Sequence, residues 1–204
     1  MKMKRKAHTS SGLSRAAALW LALLATVCCA SGPVAWPAAA QSSEPTEYQV
    51  KAAFLFNFTK FVDWPESVFA DAHAPIVLGI VGEDPFDGDL GQIVAGQMVK
   101  GRAISIRKYR FGEDLRHCQI LFVGSSEQMH IPNILLSVQG ASILTVSDVD
   151  QFADSGGVMQ FVVEQSRVHF IVNWDAAMRA HLEISAKLLA LARVINRTES
   201  RGVN

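Results

Sequence analysis

Cysteine is scarce in this sequence: Cys28 and Cys29 sit in an apolar run near the start, and Cys118 is the only one after position 40. A chain that keeps one cysteine has no internal disulfide, so it needs a packed core rather than staples. Catalytic signatures are missing too. There is no G-x-S-x-G, no G-x-x-x-x-G-K-[ST], no G-x-G-x-x-G and no H-E-x-x-H. The histidines at 8, 73, 117, 130, 169 and 181 are scattered, and no C-x-x-C exists, which leaves a structural zinc without a ligand set. After position 40 no Lys/Arg run exceeds two residues. Five of the 19 basic residues and none of the 19 acidic ones lie in the first forty positions, so the remainder is net acidic. That balance argues against a nucleic-acid binder.

The first forty residues differ from the rest. Lys2, Lys4, Arg5, Lys6 and Arg15 lead into Ala16–Ala30, AAALWLALLATVCCA, and Ala38-Ala39-Ala40 precedes Gln41. A basic start, a short apolar core and an A-x-A exit predict a secretory signal peptide over 1–40. The apolar run falls short of the ~20 residues a membrane span needs. Gln41–Glu47 is polar and reads as a flexible leader, 48–197 as one domain, and 198–204 as a frayed tail.

In the domain, Val50, Phe54, Asn57, Phe58 and Phe61 recur at helical spacing, with Thr46 as a cap and Trp64-Pro65 as a stop. Leu55 and Phe56 lie outside that stripe. Such a helix is either buried on two sides or offers one side to a partner, so Phe54, Leu55, Phe56 and Phe58 are candidate partner or dimer contacts.

Strands are predicted at 76–81 (IVLGIV), 103–109 (AISIRKY), 119–123 (QILFV) and 142–146 (SILTV), with helical stretches at 86–95 and from Gly124 through Val138. Val158–Glu164 and Arg167–Asn173, separated by Gln165-Ser166, form an antiparallel hairpin. Trp174–Asn196 reads as one long helix, capped by Asn173 or Asp175. The expected fold is α/β: a mostly parallel sheet flanked by helices on both faces, with a C-terminal antiparallel hairpin and a long C-terminal helix.

Alternation places Arg167, His169, Ile171 and Asn173 on one side of the second hairpin strand and Val168, Phe170 and Val172 on the other. Two readings stand for Arg167 and His169: a solvated outer face, or a small site for an anionic or aromatic ligand. Arg167, His169 and Asn173 are the candidate ligand-binding residues. The loops Gly82-Glu83-Asp84 and Gly124-Ser125-Ser126 read as a plain turn and a capped helix start, and Asp148, Asp150 and Asp154 as solvated turn residues. Cys118 reads as a small buried hydrophobe. His169 with Ser155 or Ser166 is the only thin nucleophile–base pairing, so no catalytic residue, cofactor or metal is expected.

Taken in order, KAAFLFNFTKFVDWP, IVLGIVGEDPF, CQILFVGSSE, ILTVSD, FADSGGVMQFVVEQSRVHFIVN and ISAKLLALARV resemble the YfiR/HmsC family of periplasmic proteins, from about residue 48 to 196. The resemblance implies an α/β sandwich that forms homodimers. It implies a periplasmic repressor of an inner-membrane diguanylate cyclase, sequestered by an outer-membrane lipoprotein, which restrains cyclic-di-GMP production and biofilm formation. It also implies a small aromatic ligand at Arg167 and His169. Cys118 matches a family cysteine whose disulfide partner is missing here. The alternative expectation is a periplasmic small-molecule sensor, for an aromatic or nucleotide-like ligand, acting on another membrane receptor or kinase.

Overall fold

The computed structural model describes residues 45–195; the predicted signal peptide, most of the leader and the predicted tail lie outside the described residues. Helix α1 spans Glu47–Phe61. Its start is a capping box: the Gln49 amide donates to Thr46 Oγ1 (3.3 Å) and the Thr46 amide donates back to Gln49 Oε1 (3.0 Å). The chain leaves the helix at Val62 as strand β1 (Val62–Asp63), before Trp64-Pro65.

Strand β2 (Ile76–Val81), helix α2 (Asp89–Val94), β3 (Met98–Val99), β4 (Arg102–Tyr109) and β5 (Ile120–Val123) follow. A 3₁₀ turn over Ser125–His130 runs into α3 (Ile131–Ser137), then come β6 (Leu144–Ser147), β7 (Met159–Glu164) and β8 (Arg167–Asn173). An eight-stranded sheet has the order β10-β8-β7-β6-β5-β2-β4-β3, with β10 at Arg193–Ile195. It is mixed rather than purely parallel: β7–β8 and β3–β4 pair antiparallel and the other neighbours pair parallel.

Helices cover both faces. Leu78, Ile80, Ile120, Phe122, Leu144 and Val146 pack toward α1 and α2. Val81, Leu121 and Val123 pack toward Ile131 and Ile134 of α3 on the other side. Parallel strands buried on both faces read as unbroken apolar runs, which is why IVLGIV and ILFV were legible.

The long C-terminal helix does not form. Residues 174–195 divide into α4 (Trp174–Arg179), β9 (Glu183–Ile184), α5 (Ala186–Leu189) and β10. Backbone geometry and pairing break the run. His181 adopts φ 53°, β9 pairs with β1 through Val62↔Ile184, and the Ser185 hydroxyl caps α5 by accepting from the Leu188 amide. β10 then lies parallel to β8, so the hairpin is one strand in from the sheet edge.

The α1 stripe is rotated from the sequence expectation. Its buried residues are Lys51, Ala52, Leu55, Phe58 and Thr59. Lys51 is 3% exposed, with its ammonium 2.6 Å from Asp148 and 2.5 Å from Glu47. The Tyr48 hydroxyl donates to Asp148 at 3.0 Å. Asp148, expected in solvent, instead pins the first turns of α1 to the end of β6.

Candidate functional site

The hairpin turn is unusual. Gln165 and Ser166 have φ 50° and 60°, the left-handed pair that a two-residue hairpin loop needs and that Asn-Gly supplies more cheaply. Beyond it, Glu164↔Arg167, Val162↔His169 and Gln160↔Ile171 lie opposite one another and so share a face. The alternation reading therefore holds for Arg167 and His169, and both are exposed.

Sequence reasoning missed a third cation. Arg193 is in register with Ile171, so β10 brings it to that same face, with its guanidinium 3.6 Å from Glu164. The β-branched pair Val194-Ile195 was the available signal, hidden by the helix assignment. Arg167, His169 and Arg193 thus share one exposed face with Glu164. Its exposure makes ion pairing there salt-sensitive.

Asn173 does not join them. It is 1% exposed, its Oδ1 accepts from the Ala176 amide as the α4 cap, and its Nδ2 donates to the Ala153 carbonyl. The strand dives under the 149–157 connection before reaching it. Gln160 sits there as well, its Oε1 accepting from the Ala153 amide.

At the turn end of the hairpin, Pro45, Glu47, Val50, Phe54, Val163, Ser166, Arg167 and Val168 line an open groove of about 690 Å³. Phe54 joins this lining to the core, its ring centroid 5.5 Å from that of Phe170 and 6.1 Å from that of Phe161. The four candidate contact residues of α1 therefore separate. Leu55 and Phe58 are fully buried core, correcting the expectation of a partner surface. Phe54 and Phe56 are half-buried, and Lys60 Nζ lies 4.0 Å from the Phe56 ring centroid.

The loops at the carboxyl edge of the sheet close on each other. Ser126 Oγ accepts from the Glu83 amide (2.9 Å), so this serine ties two loops rather than capping a helix. A Cβ on Gly124 would stand 2.8 Å from the Glu83 carbonyl oxygen. Cys118 is 2% exposed, its thiol donates to the Leu115 carbonyl, and burial pushes its pKa up to about 12. Among the described residues no group of three His, Cys, Asp or Glu is placed to hold a metal ion, and no helix is long and apolar enough to cross a membrane.

The family description YfiR/HmsC-like matches residues 48–193. The chain belongs to the YfiR/HmsC-like family. That match runs from Tyr48 in α1 to the start of β10, so it takes in the hairpin and all the groove's lining residues except Pro45 and Glu47. No curated protein matches the chain. Among solved structures, it is similar to a conserved domain protein from Vibrio cholerae O1 biovar El Tor, with 9% identity and TM-score 0.48, covering 76% of this chain and 62% of that one. It is also similar to an ABC domain in complex with L-Trp from Streptococcus pneumoniae, with 10% identity and TM-score 0.45, covering 59% of this chain and 56% of that one. The chain thus spans less than two thirds of either.

Proposed function

We propose that this YfiR/HmsC-like chain is a periplasmic signalling regulator, not an enzyme, that represses an inner-membrane diguanylate cyclase by protein–protein contact. Repression restrains cyclic-di-GMP production and biofilm formation, and an outer-membrane lipoprotein sequesters the regulator. The observation that carries this reading is the family match across 48–193. The signal-like first forty residues and the half-buried Phe54 and Phe56 agree with an exported protein that works by docking. The protein acts as a homodimer, and Phe56 contacts the membrane partner.

Deleting the gene is expected to raise cyclic-di-GMP and surface attachment, and the wild-type gene to restore both. Unchanged cyclic-di-GMP in the deletion strain defeats the reading. Phe56→Glu, introduced on the complementing copy, is expected to leave the fold intact and fail to repress.

A second reading rests on the hairpin face. Arg193 beside Arg167 and His169 supports recognition of a small anionic or aromatic ligand that tunes the contact. Calorimetry with an aromatic carboxylate should lose its signal in Arg167→Ala and His169→Ala. Equal affinity in both variants removes the site.

A further inference from the structure

A small cavity lies at the other end of β7 from the hairpin turn, between α3, the start of β6 and α4. It holds about 90 Å³, and Leu135, Val138, Ile143, Val158 and Ala176 make its walls largely apolar. Two polar side chains break that lining. Thr145 alternates with Leu144 and Val146, which pack toward α1, so its own side chain lies on the α3 side of the sheet. It is 4% exposed; its hydroxyl accepts from the Val158 amide at 2.9 Å, and no described group accepts its proton. A hydroxyl is costly to bury, so a proton left over beside a cavity is a donor with room for an acceptor. Arg179, in the last turn of α4, lines the cavity from an exposed position and forms no ion pair with a described residue.

The surroundings favour a negative charge. Carbonyls at the end of α3 would repel an anion, but Arg116 covers two of them: its Nε donates to the Ser137 carbonyl at 2.9 Å and an Nη donates to the Gln139 carbonyl at 3.0 Å. Gly140 and Gly156 also line the cavity, at φ 75° and 108°, and a Cβ on either would meet nothing within 4 Å. Size then narrows the ligand. A water-sized body needs ~10–15 Å³, so 90 Å³ holds about six to nine of them. That suits a carboxylate on a short hydrocarbon tail and is too small for a nucleotide. A planar carboxylate matches the guanidinium fork, and the apolar walls take a tail that sulfate or phosphate lacks.

We infer that this cavity binds a small aliphatic monocarboxylate, its carboxylate taken by the Arg179 guanidinium and the Thr145 proton and its tail packed against Leu135, Val138 and Ile143. The site is separate from the Arg167–His169 face, which lies toward the opposite end of β7, and it does not depend on the repressor reading. Its occupant joins α3 to α4. The strand after α4, β9, pairs with β1 at the end of α1, so binding here steadies the far end of that helix.

The test follows backbone amide signals of the purified protein by NMR while sodium butyrate is added at constant ionic strength. Butyrate should move amides in 138–145, 156–158 and 176–180 and saturate with a dissociation constant of about 1–10 mM, the range open to a ligand of its size. Arg179→Gln, at an exposed position, should weaken binding at least about fivefold, and uncharged 1-butanol should bind the wild type at least about fivefold more weakly than butyrate. Ala180→Leu, which fills the cavity, should abolish the shifts, and Arg167→Ala should bind as wild type does. If Ala180→Leu does not fold, Arg179→Gln decides. Shifts centred on the Arg167–His169 face and lost in Arg167→Ala overturn the cavity and give the anion to the hairpin. No saturable shift, or equal affinity in Arg179→Gln or for 1-butanol, overturns the cavity and leaves the hairpin reading standing.

Discussion

Asp148→Ala should be among the more damaging single changes at a polar residue of this protein. The carboxylate side chain is 10% exposed and receives both the Lys51 ammonium at 2.6 Å and the Tyr48 hydroxyl at 3.0 Å. Removing it leaves a lysine that is 3% exposed with only Glu47, whose side chain is 46% exposed, as counter-charge. Stranding one member of a buried pair costs about 3–5 kcal/mol, and the surviving Glu47 contact places this case near 3. Lys51→Met keeps the volume and removes the charge, leaving Asp148 one hydroxyl donor at a cost of about 1–3 kcal/mol. Once the lysine is gone, Asp148→Ala should add little, so the double variant should recover at least ~1 kcal/mol of coupling. Equilibrium urea unfolding of the four proteins at pH 7 measures this. Single costs below ~1 kcal/mol that simply add would refute it and make the pair a surface pair.

The pH dependence has a definite sign. Burial acts to lower the Lys51 pKa, but the bonds to Asp148 and Glu47 outweigh it and the net shift is upward. Burial, then the Asp148 charge, raises Tyr48. Both groups hold their protons more tightly when folded. Their contribution is therefore complete below the unfolded values near ~10 and is lost as pH rises through the folded ones. Lys51→Met should flatten that alkaline loss.

Cys118, held protonated by burial, should resist a thiol reagent at pH 8 in the native protein and react fully in denaturant; rapid native reaction contradicts its packing. Gly157→Ala should cost about 1–3 kcal/mol in urea unfolding, because its Cβ would lie 2.1 Å from a ring carbon of the fully buried Phe152. Ser166→Gly should gain about 1 kcal/mol by relieving a left-handed residue in the hairpin turn, read as a higher urea midpoint at unchanged slope.

Some of this molecule was legible because the code for it is local. Thr46 and Gln49 box the start of α1 through bonds three residues apart. IVLGIV and ILFV announce strands buried on both faces, and the alternation of RVHFIVN sorts Arg167 and His169 from Val168 and Phe170. Each follows from a period of about two or 3.6 residues and needs no knowledge of what lies across the core.

Other features depended on distant chain. Which α1 stripe is buried depends on the β6 end: Lys51 lies inside beside Asp148, on the same buried side as Leu55, while Phe54 of the expected stripe is only half-buried. The helical pattern of 174–196 was overruled by two short pairings, β9 on β1 and β10 on β8. A short strand takes its stability from the neighbour it bonds, so no local period records it. That second pairing carried Arg193 to the Arg167–His169 face, while the capping role of Asn173 took its amide away from it. Sequence determined which segments were apolar and how they alternate, because side-chain direction is fixed by the backbone step. The fold decided which polar groups and strand edges meet, because these are contacts between residues about a hundred or more positions apart, as with Tyr48 and Asp148 or Val62 and Ile184.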